Sequence, residues 1–142
     1  MTTQVKDTYK LDDQVGYLLR LATQRHTAIF HAHMPAGLTA PQFATLARLS
    51  ENGPCSQNAL GRLVGIDVAT IKGVVDRLKQ KGLVATEPST VDKRRSIVSL
   101  TPEARQQMSV LLTAGQEITS QTLAPLTKSE RDTLLKLFAK LA

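Results

Sequence analysis

Apolar residues recur along this chain at steps of three, four or seven, the spacing of helices that turn one stripe toward a buried surface. The series Leu11, Val15, Leu18, Ala22 and Ile29 predicts a long first helix with a single buried stripe. Gly37 interrupts the pattern. Thr39-Ala-Pro41-Gln42 then restarts it, with Thr39 as N-cap, Pro41 in the first turn and Gln42 closing a capping box. This second helix runs to about Ser50 and is stopped by Asn52-Gly53-Pro54. Ser56 caps a short third helix to about Val64, Gly65 supplies a turn, and Asp67 caps a fourth helix to about Lys81.

Beyond Gly82 the pattern shifts to β-compatible residues at 83–87 and 97–100, separated by the polar run Pro88-Ser-Thr-Val-Asp92-Lys93-Arg94-Arg95. A β-hairpin with a basic tip is the simplest reading. Thr101-Pro102-Glu103 opens a fifth helix striped by Met108, Leu111, Ile118 and Thr122. A second capping box, Thr127-Lys-Ser-Glu130, opens a last helix on which Leu134, Leu137, Phe138 and Leu141 share a face. The expected fold class is mainly α with a small β-hairpin wing, built as a winged helix-turn-helix with helices added at both ends.

At 142 residues the chain fits one domain. No apolar run approaches the ~18 residues that suggest a membrane span. The opening residues 1–7 are polar and lack the apolar segment of a signal peptide. The expectation is a soluble, cytoplasmic protein with no membrane partner. Cys55 is the single cysteine, which excludes an intramolecular disulfide and a cysteine-based zinc framework within one chain.

Charge changes the picture more than size does. The net charge is +6, and four of those six charges fall in residues 56–101, where eight basic side chains stand against four acidic ones. A basic middle between nearly neutral ends points to a polyanion at the middle and another task at the ends.

The middle also carries motifs in a recognisable order. They are Leu-Thr-Ala-Pro-Gln-Phe-Ala-Thr-Leu at 38–46, Ser-Gln-Asn-Ala-Leu-Gly at 56–61, Thr-Ile-Lys-Gly-Val-Val-Asp-Arg-Leu at 70–78 and Lys-Gly-Leu-Val at 81–84. Asp92-Lys-Arg94-Arg-Ser-Ile-Val-Ser-Leu-Thr101 completes them. Together they resemble the MarR family of bacterial regulators, whose wing signature is Asp-x-Arg followed by a strand and Leu-Thr. The terminal helices match that family in place and length.

The resemblance implies a DNA-binding module at about 38–101 and dimerisation helices at about 11–34 and 102–142. It makes the fourth helix the recognition helix, with Ala69, Thr70, Lys72 and Gly73 facing bases or nearby phosphates. Ile71, Val74, Val75 and Leu78 form its buried face. Family members often carry a longer polar residue where Gly73 stands, which thins direct base reading here. Arg94 resembles the family arginine that enters the minor groove. Lys93, Arg95, Gln57 and Asn58 read as phosphate contacts. Asp92 would position the wing by pairing with Arg77, itself counted among the DNA-binding residues. An ordinary charged loop tip and a solvated helix face are the bland readings of the same residues.

For the ends, the resemblance implies a homodimer on a palindromic operator, with recognition helices about 34 Å apart in successive major grooves. Helical projection puts Arg25, His26 and His33 on the apolar stripe of the first helix, with Arg20 and His31 opposite. Buried cationic groups need partners. A small anionic aromatic effector held by Arg25 and His26 is one partner, as family members often bind aromatic acids; acids within a dimer interface are the other. No cofactor signature is present. His26 and His33 lie about 10.5 Å apart along a helix, too far to share one metal ion. Cys55 has no adjacent basic residue to activate it.

The sequence therefore predicts a DNA-binding transcription regulator, a repressor released by an aromatic acid or phenolic effector. The alternatives are a redox- or metal-responsive regulator of the same fold and a winged-helix protein-interaction module. No nucleophile motif, phosphate loop or paired-carboxylate constellation points to an enzyme.

Overall fold

Five of the six α-helices of the computed structural model, which describes residues 8–142, start where a side chain holds an otherwise orphaned backbone amide. The polar stretch at 1–7 lies outside the described residues. Helix α1 spans Val15–His33 and α2 spans Ala40–Asn52. A two-residue strand β1, Cys55–Ser56, precedes α3 at Gln57–Val64 and α4 at Val68–Gln80. Strands β2, Val84–Pro88, and β3, Ser96–Leu100, lead into α5, Pro102–Thr122, and α6, Lys128–Leu141.

The expected caps form. Thr39 and Gln42 close a capping box on α2, and Thr127 and Glu130 close one on α6. Ser56 Oγ accepts from the Ala59 amide at 3.2 Å, and Asp67 Oδ1 accepts from Thr70 at 2.8 Å. Gly65 ends α3 at φ 79°, a left-handed conformation that glycine adopts without strain.

The chain divides into two compact units. One comprises the residues up to His33 together with Glu117–Ala142, and the other is Met34–Gln116. In the second unit Leu38, Leu46, Leu60, Ile71, Leu78, Val98 and Leu111 are almost wholly buried. The buried face of α4 is the expected one, Ile71, Val74, Val75 and Leu78. A three-stranded antiparallel sheet in the order β1-β3-β2 borders this core. Register pairs Val84 with Leu100 and Pro88 with Ser96, so the hairpin opens at residues 89–95. Strand β1 went unread in the sequence: it pairs Cys55 with Val98 and Ser56 with Ile97.

Two expectations for the first helix need correction. Leu11 lies in a separate 3-10 turn, Leu11–Asp13, and α1 begins only after Gln14 takes an extended conformation. Gln14 then serves as the helix's first carbonyl acceptor, bonded by Leu18 N at 3.1 Å. The apolar stripe is also not enclosed. Leu11, Val15 and Leu18 are all exposed, and Phe30 is the buried residue of α1. The stripe borders an open groove with Leu123, Leu126 and Phe138 of the same unit. Among the described residues, no helix is long and apolar enough to cross a membrane.

Helices α3 and α4 meet at Gly61. A Cβ there would stand 2.9 Å from the backbone oxygen of Ile66 and 3.2 Å from Ile71 Cγ2. Gly61→Ala should therefore lower stability by about 1–3 kcal/mol through overpacking against backbone. Urea unfolding should show a reduced midpoint at unchanged m-value; an unaltered midpoint would mean that the turn yields freely.

Candidate nucleic-acid interface

Pairing of β1 with β3 brings the start of α3 beside the base of the wing. Ser56, Gln57 and Asn58 on one side and Arg94, Arg95 and Ser96 on the other line a cleft of about 140 Å³. Two guanidinium groups and the amide-bearing end of a helix make this cleft suited to an anion. The structure thus gathers Gln57, Asn58, Arg94 and Arg95 from positions almost forty residues apart. Lys93 lies exposed on the same loop.

The wing loop is organised by Asp92. Its carboxylate oxygen Oδ1 accepts from the Arg94 amide at 3.0 Å and from Arg94 Nε at 3.2 Å, and Arg95 Nε stands 3.8 Å from Oδ2. The backbone closes too: Ser89 N donates to Arg95 O at 2.9 Å, and Ser89 Oγ accepts from Val91 and Asp92 at 3.2 Å each. The Arg94 amide, and then its side chain, hold the Asp92 carboxyl below its ordinary range. Pairing of Asp92 with Arg77, implied by the family resemblance, does not form. A partner two residues away forms with little loss of chain entropy, whereas Arg77 stands on α4. The Arg77 guanidinium instead lies over Gly73, 3.6 Å from where a Cβ would be.

On α4, Ala69, Thr70, Lys72 and Arg77 are exposed and Gly73 is half-buried. Thr70 Oγ1 donates to Asp67 Oδ2 at 3.0 Å, and Lys72 Nζ donates to Asp76 Oδ2 at 3.0 Å. The Thr70 bonds, backbone first, lower the Asp67 carboxyl below its usual value. Val68, absent from the sequence reading, is the exposed first residue of the helix. Spacing gave no signal for this, because Val68 stands three residues before Ile71 and seven before Val75 and so continues the apolar stripe; its exposure comes from its place at the helix tip.

In the other unit, Arg25 donates to the carbonyls of Gln121, at 2.8 Å, and of Thr122. His26 Nδ1 shares a hydrogen bond of 2.9 Å with Thr122 Oγ1. These partners cap the carboxyl end of α5, where carbonyls lack intrahelical donors. Arg25 also borders an apolar groove of about 400 Å³ between α1 and α6, and His26 a neighbouring one of about 300 Å³. His33 bonds the carbonyl of Ile29 in its own helix at 2.9 Å. Cys55 is half-buried, and burial pushes its thiol pKa up, away from the reactive thiolate. Among the described residues no group of three His, Cys, Asp or Glu side chains is placed to hold a metal ion.

Two short helices around a glycine turn, a three-stranded sheet and a basic hairpin loop define the class: a winged helix-turn-helix protein. The MarR family model matches residues 38–96. The transcriptional repressor NicR of Pseudomonas putida is 39% identical over 94% of this chain and 85% of its own length. A candidate transcriptional regulator from Pseudomonas aeruginosa has a crystal structure with TM-score 0.91 at 49% identity, covering 94% of this chain and all of that one. BpsR of Bordetella bronchiseptica, whose DNA binding is regulated by 6-hydroxynicotinic acid, gives TM-score 0.88 at 38% identity over 94% and 96% of the two chains. The chain belongs to the MarR family, a family of transcription regulators and not of enzymes.

Removing the Asp92 carboxylate should loosen the wing without unfolding the protein. In Asp92→Ala, hydrogen exchange at the Arg94 amide should rise severalfold while the unfolding midpoint stays nearly constant. In the parent protein the same bond should persist as the pH falls through 3.8, the ordinary Asp value, and give way only below it, because the folded carboxyl titrates lower. Unchanged exchange in the variant would refute this role for Asp92.

Proposed function

We propose that the chain is a dimeric repressor that holds a palindromic operator and leaves it when a small aromatic acid binds. The observation that carries this reading is the basic cleft where Arg94 and Arg95 of the wing meet Gln57 and Asn58 at the start of α3. In a duplex complex, α4 would enter the major groove with Ala69, Thr70, Lys72 and Gly73 foremost and Arg77 further along. Arg94, whose side chain is 92% exposed, would reach the minor groove, where narrow A·T tracts concentrate negative potential. Lys93, Arg95, Gln57 and Asn58 would hold phosphates, and Asp92 would keep the wing in shape.

Residues 1–142 act in this reading as one regulator, with about 38–101 as its DNA-binding module. The segments 11–34 and 102–142 supply the dimerisation helices. Exposed Val15, Leu18, Leu135, Leu137 and Phe138 give the first unit an apolar surface of the kind that a second copy covers. For the effector, Arg25 supplies a cation and His26 a polar contact at the edges of apolar grooves. The regulation of BpsR by a pyridine carboxylic acid supports that ligand class.

Fluorescence anisotropy against the duplex upstream of the chain's own gene, with a scrambled duplex as control, tests the DNA reading. Binding should favour the native duplex by about a thousandfold or more. Arg94→Ala should weaken it about ten-fold or more, and Lys136→Ala should leave it unchanged. One member of a panel of aromatic acids should release the complex, and Arg25→Ala or His26→Gln should blunt that release. Equal, steeply salt-dependent binding to both duplexes would reduce the interaction to charge alone.

Sedimentation should find a dimer whose association is weakened by Leu18→Asp. A monomer at all concentrations would remove the dimer from the proposal.

A further inference from the structure

Helix α4 is short of the side chains that read bases by hydrogen bonding. Arginine or lysine reads guanine, and asparagine or glutamine reads adenine, through paired donors and acceptors. Of these only Lys72 stands in the first two turns, Val68 through Val74. The polar groups there have partners on the helix itself: the Thr70 hydroxyl donates to Asp67 at 3.0 Å, and the Lys72 ammonium donates to Asp76 at 3.0 Å, both contacts being exposed.

What α4 does present is hydrocarbon. Side chains advance about 100° per residue around a helix, so the buried set Ile71, Val74, Val75 and Leu78 fixes the opposite direction. Ala69 and Gly73 point that way; Val68, three residues before Ile71 and seven before Val75, carries the edge of the apolar stripe past the core to the tip of the helix, where it is 64% exposed. An exposed valine at the leading end of a helix gains nothing from its own fold. At Gly73 a Cβ would meet only Arg77, at ordinary van der Waals distance, so the fold does not demand glycine there. Glycine inside a helix is about 1 kcal/mol less favourable than alanine. Gly73 runs against the stability of the isolated helix and lies on its outward face, and Val68 leaves apolar surface in water at the leading end.

We propose that α4 reads thymine C5-methyl groups, with Val68 as a specificity-determining residue, Ala69 as a second methyl contact and Gly73 giving base edges close access to the backbone. The inference rests on the DNA-binding reading above. The thymine methyl is the apolar feature that base pairs display in the major groove, and its match is an aliphatic side chain. Burying it against Val68 and Ala69 removes apolar surface from water on both sides. The exposed Arg94 points the same way, because narrow minor grooves also favour A·T tracts.

The intact protein should first select duplexes from a randomised pool. Thymines of the selected half-sites are then replaced singly by deoxyuridine, which deletes the methyl and preserves base pairing. At one or more positions, replacement should weaken binding about four-fold per half-site, the effect of one buried methyl carbon. Val68→Ser, a change at an exposed position, should erase the difference between thymine and deoxyuridine at the position it touches. Equal binding of both duplexes at every position, with preference for selected over scrambled sequence retained, would overturn methyl reading and leave the DNA-binding proposal standing. Failure to select any sequence would overturn both.

Discussion

The close approach of α3 to α4 at Gly61 is the constraint on which the presented surface depends. With no side chain at 61, the backbone oxygen of Ile66 and the Ile71 side chain come within reach of a single α-carbon. That contact fixes the turn through Gly65 and seats Ile71 and Leu78 in a core with Leu46 and Leu60. Once those residues are buried, helical geometry leaves no choice about which residues face outward. The display of Ala69 and Gly73 thus follows from a packing requirement eight to twelve residues earlier in the chain, not from any local preference for exposure.

The wing depends on a second, weaker set of constraints. Val98 and Leu100 anchor β3 in the core, and β1 adds two residues of pairing that tie the start of α3 to the same strand. The loop beyond has no core of its own and relies on the Asp92 carboxylate. By accepting from Arg94 and standing near Arg95, Asp92 places one negative charge between two positive side chains. An anion entering the cleft competes for the same guanidinium groups. Because these contacts are exposed, each is weak and readily exchanged, which suits a loop that must re-form its bonds on a polyanion.

Features that depend on residues three or four apart were legible in the sequence. The caps at Thr39, Ser56, Asp67 and Thr127, the turn at Gly65 and the stripe Ile71, Val74, Val75 and Leu78 all follow from local spacing. Features that depend on distant partners were not. The pairing of Cys55 with Val98 spans a large sequence separation and involves too few residues to leave a periodic signal. The stripe on α1 was readable as apolar, but its exposure is decided by what covers it, and periodicity carries no information about that. Likewise, Asp92 could be assigned a positioning task from the motif around it, while its partner was settled by loop geometry. Gln57, Asn58, Arg94 and Arg95 were each identifiable from family resemblance; that they form one cleft depends on the register of β1 with β3.

On the proposed reading, Arg25 would combine a structural and a ligand-binding task in one side chain. Its bonds reach the carbonyls of Gln121 and Thr122 at the end of a helix, where the Gln121 carbonyl also accepts from the Ala124 amide at 3.3 Å. A guanidinium carries more N–H donors than those bonds use, and Arg25 also borders a groove lined by Val15, Leu18 and Phe138. A planar acid could place its ring against these apolar side chains and its carboxylate on the free edge of Arg25, leaving the carbonyls bonded. Drawing the guanidinium away entirely would take that donor from the Thr122 carbonyl. On the proposed reading, the anion that fits with least disturbance is one whose charge sits at the rim of an aromatic ring, within reach of Arg25 while the ring remains in the groove.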